Sequence, residues 1–390
     1  MAWGEQSQVV ERFVTVCGFL RKTCRHWNLG SSYDGWVKAH RREAPRLIPL
    51  VVSRLRKTMQ ELPHQRCGRW DAYAADGTQA ACPRTIVNQQ AMGDVGKPDG
   101  IPLLSLTSVM HLRTGLPWDF RIGPGDDSER AHLRAMLDQL PAQSLLVTDA
   151  GFIGYDLCCE MLEHQQHFLL RVGGNIHLLT DLGYDFEVEG ETVYLWPEKQ
   201  QRQNLPPVML RLIVTQDEQK QPVYLVTSVL DQAELTDAEA ADVYRLRWGV
   251  EVLYRTAKQT MEHHTMCSRT PENCYLEMTW AFLGVWLLKL ISVMQIAAAG
   301  SDPLSVSPAQ TRNAVRRTMR GDRPCARSRR SLARVLAGCQ IDTYTRRRPK
   351  TSRNYPRKKQ HQPPGPPKIK PPNSTQLRKA KQLTPLKIQR

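Results

Sequence analysis

The stretch VYRLRWGVEVLYRTAK, residues 243–258, sets one acid among four basic side chains. At about 100° per residue, as in an α-helix, Tyr244, Arg247, Glu251 and Lys258 share an arc of about 60°. We predict one continuous helix here, with its apolar residues on a separate face. A carboxylate suits a divalent cation, and guanidinium and ammonium groups suit phosphate oxygens. The stripe therefore predicts metal-assisted chemistry on a phosphate ester. The alternative is a solvated helix face that carries an i,i+4 Arg–Glu pair.

Two aspartates far upstream strengthen the metal interpretation. Asp76 precedes a glycine and Asp149 precedes Ala150-Gly151, each at the predicted end of a short strand. Acids at strand ends are well placed to meet a helix that packs against the edge of the sheet. Three carboxylates without an obligatory Cys or His ligand suit Mg²⁺ or Mn²⁺. Asp71, five residues before Asp76, is the competing candidate for the first ligand.

The elements that would position these residues are those of a mixed α/β protein. Strands are predicted over 72–76, 101–112, 117–123, 144–149 and 168–174, and helices over 127–140 and 154–166. The turn-like Arg-Thr-Gly at 113–115 joins the second and third of these strands. Residues from about 174 to 230 have the texture of an inserted β-rich region. Thr236 and Glu239 form the capping box of the helix that follows.

The charge distribution divides the chain further. The 390 residues carry a net charge of +16, of which residues 1–60 hold +7 and the acid-free residues 346–390 hold +15, leaving −6 for residues 61–345. Basic ends predict a polyanionic partner, most often nucleic acid, with a solubilising surface as the alternative. We predict a helical basic module (1–65), a core (66–300), a helical segment (301–345) and a disordered basic, proline-rich tail (346–390).

Three further features of the sequence concern a possible metal cluster, a possible membrane span and the state of the cysteines. A metal cluster in HHTMCSRTPENC matches no standard zinc spacing; its residues are His263, His264, Cys267 and Cys274. Residues 280–299 reach membrane-spanning length, but Lys289 at the midpoint would cost about 2.5–3.5 kcal/mol, so we predict a buried helix. The chain has no C-x-x-C pair and its first residues lack a signal-peptide pattern, which predicts reduced thiols and a cytoplasmic location.

Several motifs together resemble one protein family. YRLRWGVEVLYRTAK fits the Y-x2-R-x3-E-x6-K signature of bacterial DDE transposases of the insertion-sequence-4 type. DGTQ is similar to the family's first-aspartate motif, and LLVTDAGFIGYDL to its second. HLRTGLPWDFRIGPGDDSERAHLRAML is similar to the intervening hairpin and helix, and FLLRV to the strand after the second aspartate. The resemblance covers residues 70–300.

This resemblance implies a ribonuclease H-like mixed-sheet core with a β insertion before the glutamate helix. It implies that Asp76, Asp149 and Glu251 hold two Mg²⁺ or Mn²⁺ ions, which activate water to nick an element end. The freed 3′-OH then attacks target DNA. Tyr244, Arg247 and Lys258 would contact phosphates near the cleaved end. The implied partners are the element's terminal inverted repeats, target DNA and a second copy of the chain, in the nucleoid.

Other functions and roles stay open beside this one. A metal-dependent nuclease on the same core would cut without joining strands, and a decayed or domesticated relative would only bind DNA. Some members of the family stack a displaced base on an aromatic residue in the insertion, a role that would fall to Trp196, although a Trp in the core is the alternative. Recognition of terminal repeats by residues 8–62 is a hypothesis. The tail is a DNA tether, an interaction arm or a frame-shifted scar.

Overall fold

The computed structural model describes residues 8–28, 30–63, 66–92, 100–184, 191–217, 220–320, 331–341 and 365–388. The chain divides into two compact units. The first unit consists of Met1–Arg66, Ala74–Gln139 and Trp248–Ile341, and the second of Cys67–Tyr73, Leu140–Arg247 and Asp342–Arg390.

The described residues form helices and strands throughout the chain. In chain order they are α1 (Val9–Thr23), α2 (Tyr33–Gln60), β1 (Ala72–Ala81), α3 (Ile86–Met92), β2 (Leu103–His111), β3 (Leu116–Pro124), α4 (Glu129–Arg134), β4 (Leu145–Thr148), α5 (Tyr155–Glu163), β5 (His167–Val172), β6 (His177–Thr180), β7 (Thr192–Leu195), α6 (Glu198–Arg202), β8 (Val208–Gln216), β9 (Pro222–Thr227), α7 (Asp237–Leu246), α8 (Gly249–Arg255), α9 (Pro271–Ala298), α10 (Pro308–Arg320), α11 (Leu332–Ala337), β10 (Lys368–Lys370) and α12 (Ser374–Ala380).

In the first unit, β1, β2 and β3 are neighbours in that order. Strands β2 and β3 form an antiparallel hairpin that pairs Leu104 with Pro124 at one end and His111 with Leu116 at the other. The joining turn needs Gly115, whose φ of +64° lies in the left-handed region that favours glycine. The hairpin and its turn are therefore confirmed as the sequence predicts them.

The N-terminal helices α1 and α2 belong to the first unit, together with β1–β3 and α9. The Arg56 guanidinium fixes α2 to β3 through an ion pair of 2.9 Å with Asp119. The Arg56 side chain is 17% exposed and that of Asp119 is 5% exposed. Arg56 Nε also donates to the Trp118 carbonyl at 2.7 Å. A buried pair of this kind is costly to break from one side. Contacts of Arg56 thus hold α2 on the first unit, and the helical basic module at residues 1–65 stays a prediction.

Helix α9 is the long apolar element of the first unit. It passes a length-and-composition test for a membrane span, and 61% of its most apolar window is buried inside the protein. Fully buried residues such as Trp286 and Leu288 line it. The prediction of a buried helix is confirmed. Lys289 is also buried, and its Nζ donates to the Gly115 carbonyl of the β2–β3 turn.

The second unit contains a mixed sheet with the strand order β10-β6-β7-β8-β9-β5-β4. The pairs β4–β5 and β10–β6 are parallel. The pairs from β6 through β7, β8 and β9 to β5 are antiparallel. Strands β6–β9 lie within the predicted β insertion, so both that insertion and the mixed α/β class are confirmed.

The prediction of disorder is wrong for residues 365–388. Strand β10 pairs in parallel with β6, and α12 begins with a capping box between Asn373 and Gln376. The Tyr184 hydroxyl is within hydrogen-bonding distance of the Ala380 and Leu383 carbonyls, at 3.0 and 3.1 Å. The segment has no regular apolar pattern, but its Ala380 and Leu383 pack with apolar side chains of the insertion. Residues 346–364 and 389–390 of the predicted tail lie outside the described residues.

Burial of Lys289 predicts a pH-dependent stability. Burial lowers the pKa of Lys289 to about 8, whereas a lysine in an unfolded chain has a pKa of about 10.4. Between these values only the unfolded chain holds the proton, so the free energy of unfolding rises with pH, by up to about 3 kcal/mol. Below pH 8 both states are protonated and the dependence ends.

Urea denaturation between pH 7 and 10.5 measures this rise. Lys289→Met should remove it, and Lys199→Met, at an exposed position, should keep it. The same pH profile for the wild type and Lys289→Met would contradict the assignment.

Candidate functional site

The signature helix is not continuous, so the prediction of one helix over residues 243–258 is wrong. Helix α7 ends at Leu246, α8 begins at Gly249, and a π-helical turn spans Thr256–Thr260. Glycine destabilises a helix when it lies in the helix interior. A Cβ on Gly249 would lie 2.7 Å from Cε of the buried Met110, so a larger residue here would force the Met110 side chain on β2 to shift. The break also coincides with the boundary between the two units.

Asp76 lies within β1, not at its end as the sequence predicts, because the strand continues to Ala81. Its Oδ1 accepts the Gly77 N–H at 2.8 Å, which orients the half-buried carboxylate. The competing first ligand, Asp71, immediately precedes β1 and belongs to the second unit, where its carbonyl accepts the Leu145 N–H at 3.0 Å.

The hydroxyl of Tyr254 joins three elements of the first unit. It donates to the main-chain carbonyl of Asp76 on β1, and it accepts the Ser108 N–H on β2 at 3.0 Å. The Ser108 hydroxyl is a further partner at 2.9 Å. Burial raises the pKa of Tyr254 well above its usual range, so the hydroxyl stays protonated and keeps donating. Glu251 lies three residues earlier on α8, and residues three apart are neighbours on a helix surface.

A further carboxylate, that of Glu129, lies in this region. A Cβ placed on Gly77 would be 1.9 Å from Glu129 Oε1, so this carboxylate lies directly against the main chain next to Asp76. Burial is the largest cause of the raised pKa of Tyr254, and the charges of Asp76 and Glu129 raise it further. Glu129 could not be predicted from the sequence, because only the tertiary path of the β2–β3 hairpin and α4 brings residue 129 back to residue 77.

Asp149 directly follows β4, which confirms its predicted position at a strand end. Its Oδ1 accepts the Gly151 N–H at 2.8 Å, so each of the two candidate aspartates is oriented by the main chain of a nearby glycine. Asp149 belongs to the second unit with two other signature residues, Tyr244 and Arg247.

Tyr244 and Arg247 contact one another in the second unit. The Arg247 guanidinium carbon lies 5.5 Å from the centre of the Tyr244 ring, and the arginine is only 7% exposed. Burial raises the pKa of Tyr244; the positive charges of Arg247 and Arg171 oppose that rise and the charge of Asp149 adds to it. These residues therefore share one electrostatic environment, in which an anion would meet two guanidinium groups. Arg171, on β5, was not predicted from the sequence.

Lys258 lies on the π-helical turn of the first unit and is half-buried. Burial lowers its pKa. The end of this turn is fixed by Arg312 of α10, which donates to the Thr260 carbonyl and lies 3.7 Å from a carboxylate oxygen of Glu262. The ammonium group of Lys258 therefore lies on a turn whose position is fixed by Arg312 of α10.

Trp196 lies in the core of the second unit, in agreement with the core alternative. It is 3% exposed, and its Nε1 donates to the Leu205 carbonyl at 2.8 Å. Its buried cluster also contains Leu182, Tyr194, Met209 and Ala380. A base could stack on this ring only if the cluster opened, so the structure gives no support to a base-stacking role.

Among the residues that the structure describes, no group of three or more His, Cys, Asp or Glu is arranged to hold a metal ion. The alternative cluster around residues 263–274 thus has no support, and the Cys274 thiol donates instead to the Ser268 carbonyl at 3.0 Å. Asp76 and Glu251 belong to the first unit and Asp149 to the second. By their chemistry these half-buried carboxylates fit a hard cation such as Mg²⁺.

Comparison with known proteins connects these residues to a family. The chain is 26% identical over 248 residues to the transposase InsG of insertion sequence IS4 from Escherichia coli K12, covering 60% of this chain and 55% of that protein. It is 24% identical over 236 residues to a probable transposase of insertion sequence IS5377 from Geobacillus stearothermophilus, covering 52% of this chain and 59% of that protein. The chain thus spans just over half the length of these curated relatives.

A solved piggyBac transposase synaptic complex with hairpin DNA aligns with a TM-score of 0.41 and 12% identity, over 71% of this chain and 60% of that one, and we draw no conclusion from so weak a likeness. The family match is stronger. The sequence model of the Transposase DDE domain matches residues 71–287, more than half of the chain and the segment that holds all three candidate carboxylates. The protein belongs to the Transposase DDE domain family.

Proposed function

We propose that this protein is a transposase that cleaves DNA at the ends of an insertion sequence and joins the freed strands to target DNA. The observation that carries the proposal is that the family match spans Asp76, Asp149 and Glu251 together with the Arg and Lys residues of the signature. Two transposases of insertion sequences among the relatives support it. The substrates are the terminal inverted repeats and target DNA, and a homodimer would hold two ends at once.

In this proposal Asp76, Asp149 and Glu251 bind two divalent cations. Such ions supply Lewis-acid polarisation of the scissile phosphate and lower the pKa of a bound water. The carboxylates of Asp76 and Asp149 are suited to ligation because a main-chain N–H orients one oxygen of each. The fixed orientation reduces the ordering that ion binding requires.

The basic residues then act on the DNA backbone. Arg247 has a planar guanidinium that can grip two phosphate oxygens at once, and the Tyr244 ring beneath it restricts its orientation. Lys258 contributes a point charge. In the first step the P–O3′ bond at the element end breaks, water adds to phosphorus, and the 3′ oxygen leaves with a proton. In the second, that 3′-OH attacks a target phosphate and displaces another 3′ oxygen.

The structure changes how the hypothesis of end recognition by residues 8–62 has to be tested. Arg56 is committed to Asp119, and Arg41 donates to Asn273 at 2.7 Å and to Thr270 at 3.2 Å. Deleting residues 1–60 would remove these contacts and expose the core of the first unit. Substitution of exposed basic residues, Arg21, Lys22 and Arg25 among them, leaves that core intact.

Loss of any one carboxylate should abolish cleavage. Asp76→Asn, Asp149→Asn and Glu251→Gln each remove a ligand charge, and we expect cleavage of duplexes carrying the element's own ends to fall more than about 100-fold, beyond the 10–100-fold typical of outer-shell partners. Mn²⁺ binding, measured by electron paramagnetic resonance, should weaken in parallel. Glu198→Gln, at an exposed position, serves as the control and should retain both.

The outcomes separate the competing functions. Cleavage without joined products would indicate a nuclease. DNA binding by the wild type without cleavage in Mg²⁺ or Mn²⁺ would indicate a DNA-binding protein. Wild-type activity in all three variants would overturn the assignment of the carboxylates, and activity lost in Asp71→Asn but kept in Asp76→Asn would reassign the first ligand.

Tyr254 should act as a positioning residue for Asp76 and Glu251. Tyr254→Phe keeps the ring and removes the hydroxyl that joins α8 to β1 and β2. We expect the Mg²⁺ concentration for half-maximal cleavage to rise about 10–100-fold, with a loss of about 1–3 kcal/mol of stability.

Tyr184→Phe is the matched control, because it removes a hydroxyl of the insertion that bonds to the main-chain carbonyls of Ala380 and Leu383. It should lower stability without changing the Mg²⁺ requirement. An equal Mg²⁺ requirement in both variants would reduce Tyr254 to a structural residue.

A further inference from the structure

Helix α10 has an unusual composition for a helix that packs on a protein core. Its sequence PAQTRNAVRRTMR contains four arginines, two side-chain amides and no acid. At about 100° per residue its arginines and amides other than Arg312 fall within an arc of about 120°; they are Gln310, Asn313, Arg316, Arg317 and Arg320. We call this arc the basic face. Along the helix, its amides come first and its three arginines follow towards the C-terminal end.

The opposite face of α10 accounts for its packing. Thr311, Ala314 and Val315 are buried, and the Thr311 hydroxyl is 2.7 Å from that of Ser292 on α9. Of the three C-terminal arginines, Arg317 and Arg320 are exposed and Arg316 is half-buried. Small and apolar side chains therefore pack α10 on the unit, while the basic face reaches the surface.

Contacts within the first unit place this helix beside the signature. Arg312 donates to the carbonyl of Thr260, two residues beyond Lys258, and lies 3.7 Å from Glu262. The first turns of α10 are therefore anchored to the π-helical turn that presents Lys258. From that anchor the helix runs towards Arg316, Arg317 and Arg320, so positive charge continues from the signature along α10.

We propose that the basic face of α10 is a docking surface for the phosphate backbone of DNA, continuing the path that begins at Lys258. This inference rests on the proposed function and adds to it a surface outside residues 71–287, the matched part of the chain. Guanidinium and amide groups are among the side chains that contact phosphate oxygens most often, and a face without acids repels no part of a polyanion. Such contacts position the DNA without reading its sequence.

The test is the salt dependence of binding to a 40-base-pair duplex of mixed sequence, followed by fluorescence anisotropy. Each phosphate contact contributes about 0.9 to the slope of log K against log salt. The triple variant Arg316→Gln, Arg317→Gln, Arg320→Gln should lower the magnitude of the slope by about 2–3 and weaken binding about 10–100-fold near 0.1 M salt. The control triple Lys199→Gln, Arg202→Gln, Arg378→Gln removes the same charge from exposed positions on α6 and α12 and should change the slope by less than about 1.

Equal losses in the two triple variants would show a net-charge effect and overturn the inference, as would an unchanged slope. Normal DNA binding by the α10 variant would overturn the inference. If the wild-type protein still cleaves element ends, the proposed function stands. Wild-type protein that binds no DNA would overturn both. Should the triple variant not fold, Arg317→Glu alone, at an exposed position, should still weaken binding, and a normal affinity would count against the surface.

Discussion

The hydroxyl of Tyr254 is the contact on which the arrangement of the candidate residues in the first unit depends. It reaches the main chain of Asp76 on β1 and that of Ser108 on β2 from a ring buried in α8. Main-chain partners make the contact independent of side-chain rotamers at those positions. A single bond network thereby sets the approach of the helix that carries Glu251 to the strand that carries Asp76. Earlier on the same helix, the main chain of Gly249 lies close to the Met110 side chain of β2.

This contact also explains why a tyrosine is used at residue 254. A phenylalanine would fill the same space but leave the Ser108 N–H and the Asp76 carbonyl without this partner in a buried environment, which costs more than the bond itself contributes. Burial and the neighbouring carboxylates both favour the neutral hydroxyl. The donor therefore remains a donor over the pH range in which proteins fold, and the position of α8 does not depend on pH through this group.

Local chemistry made several features predictable from the sequence. Asp149 follows a short apolar strand, and the Thr236–Glu239 capping box starts α7 as predicted. What could not be predicted depends on tertiary contacts. Gly249 lies against the Met110 side chain of β2, and Glu129 reaches Gly77 only through the path of the hairpin. Similarly, residues 365–388 fold on an apolar cluster formed mostly by the insertion, to which they add Ala380.

The placement of the charges gives the single acid of the signature a physical rationale. The boundary between Arg247 and Trp248 assigns Tyr244 and Arg247 to the second unit, and Glu251 and Lys258 to the first. On the second unit Arg247 and Arg171 balance Asp149 around Tyr244. On the first, Asp76 and Glu129 act together on Tyr254. Carboxylates that share one environment repel each other, and a divalent cation relieves that repulsion more effectively than a lysine. Under the proposed function, an acid on α8 would increase the affinity for a cation, whereas a base there would compete with it.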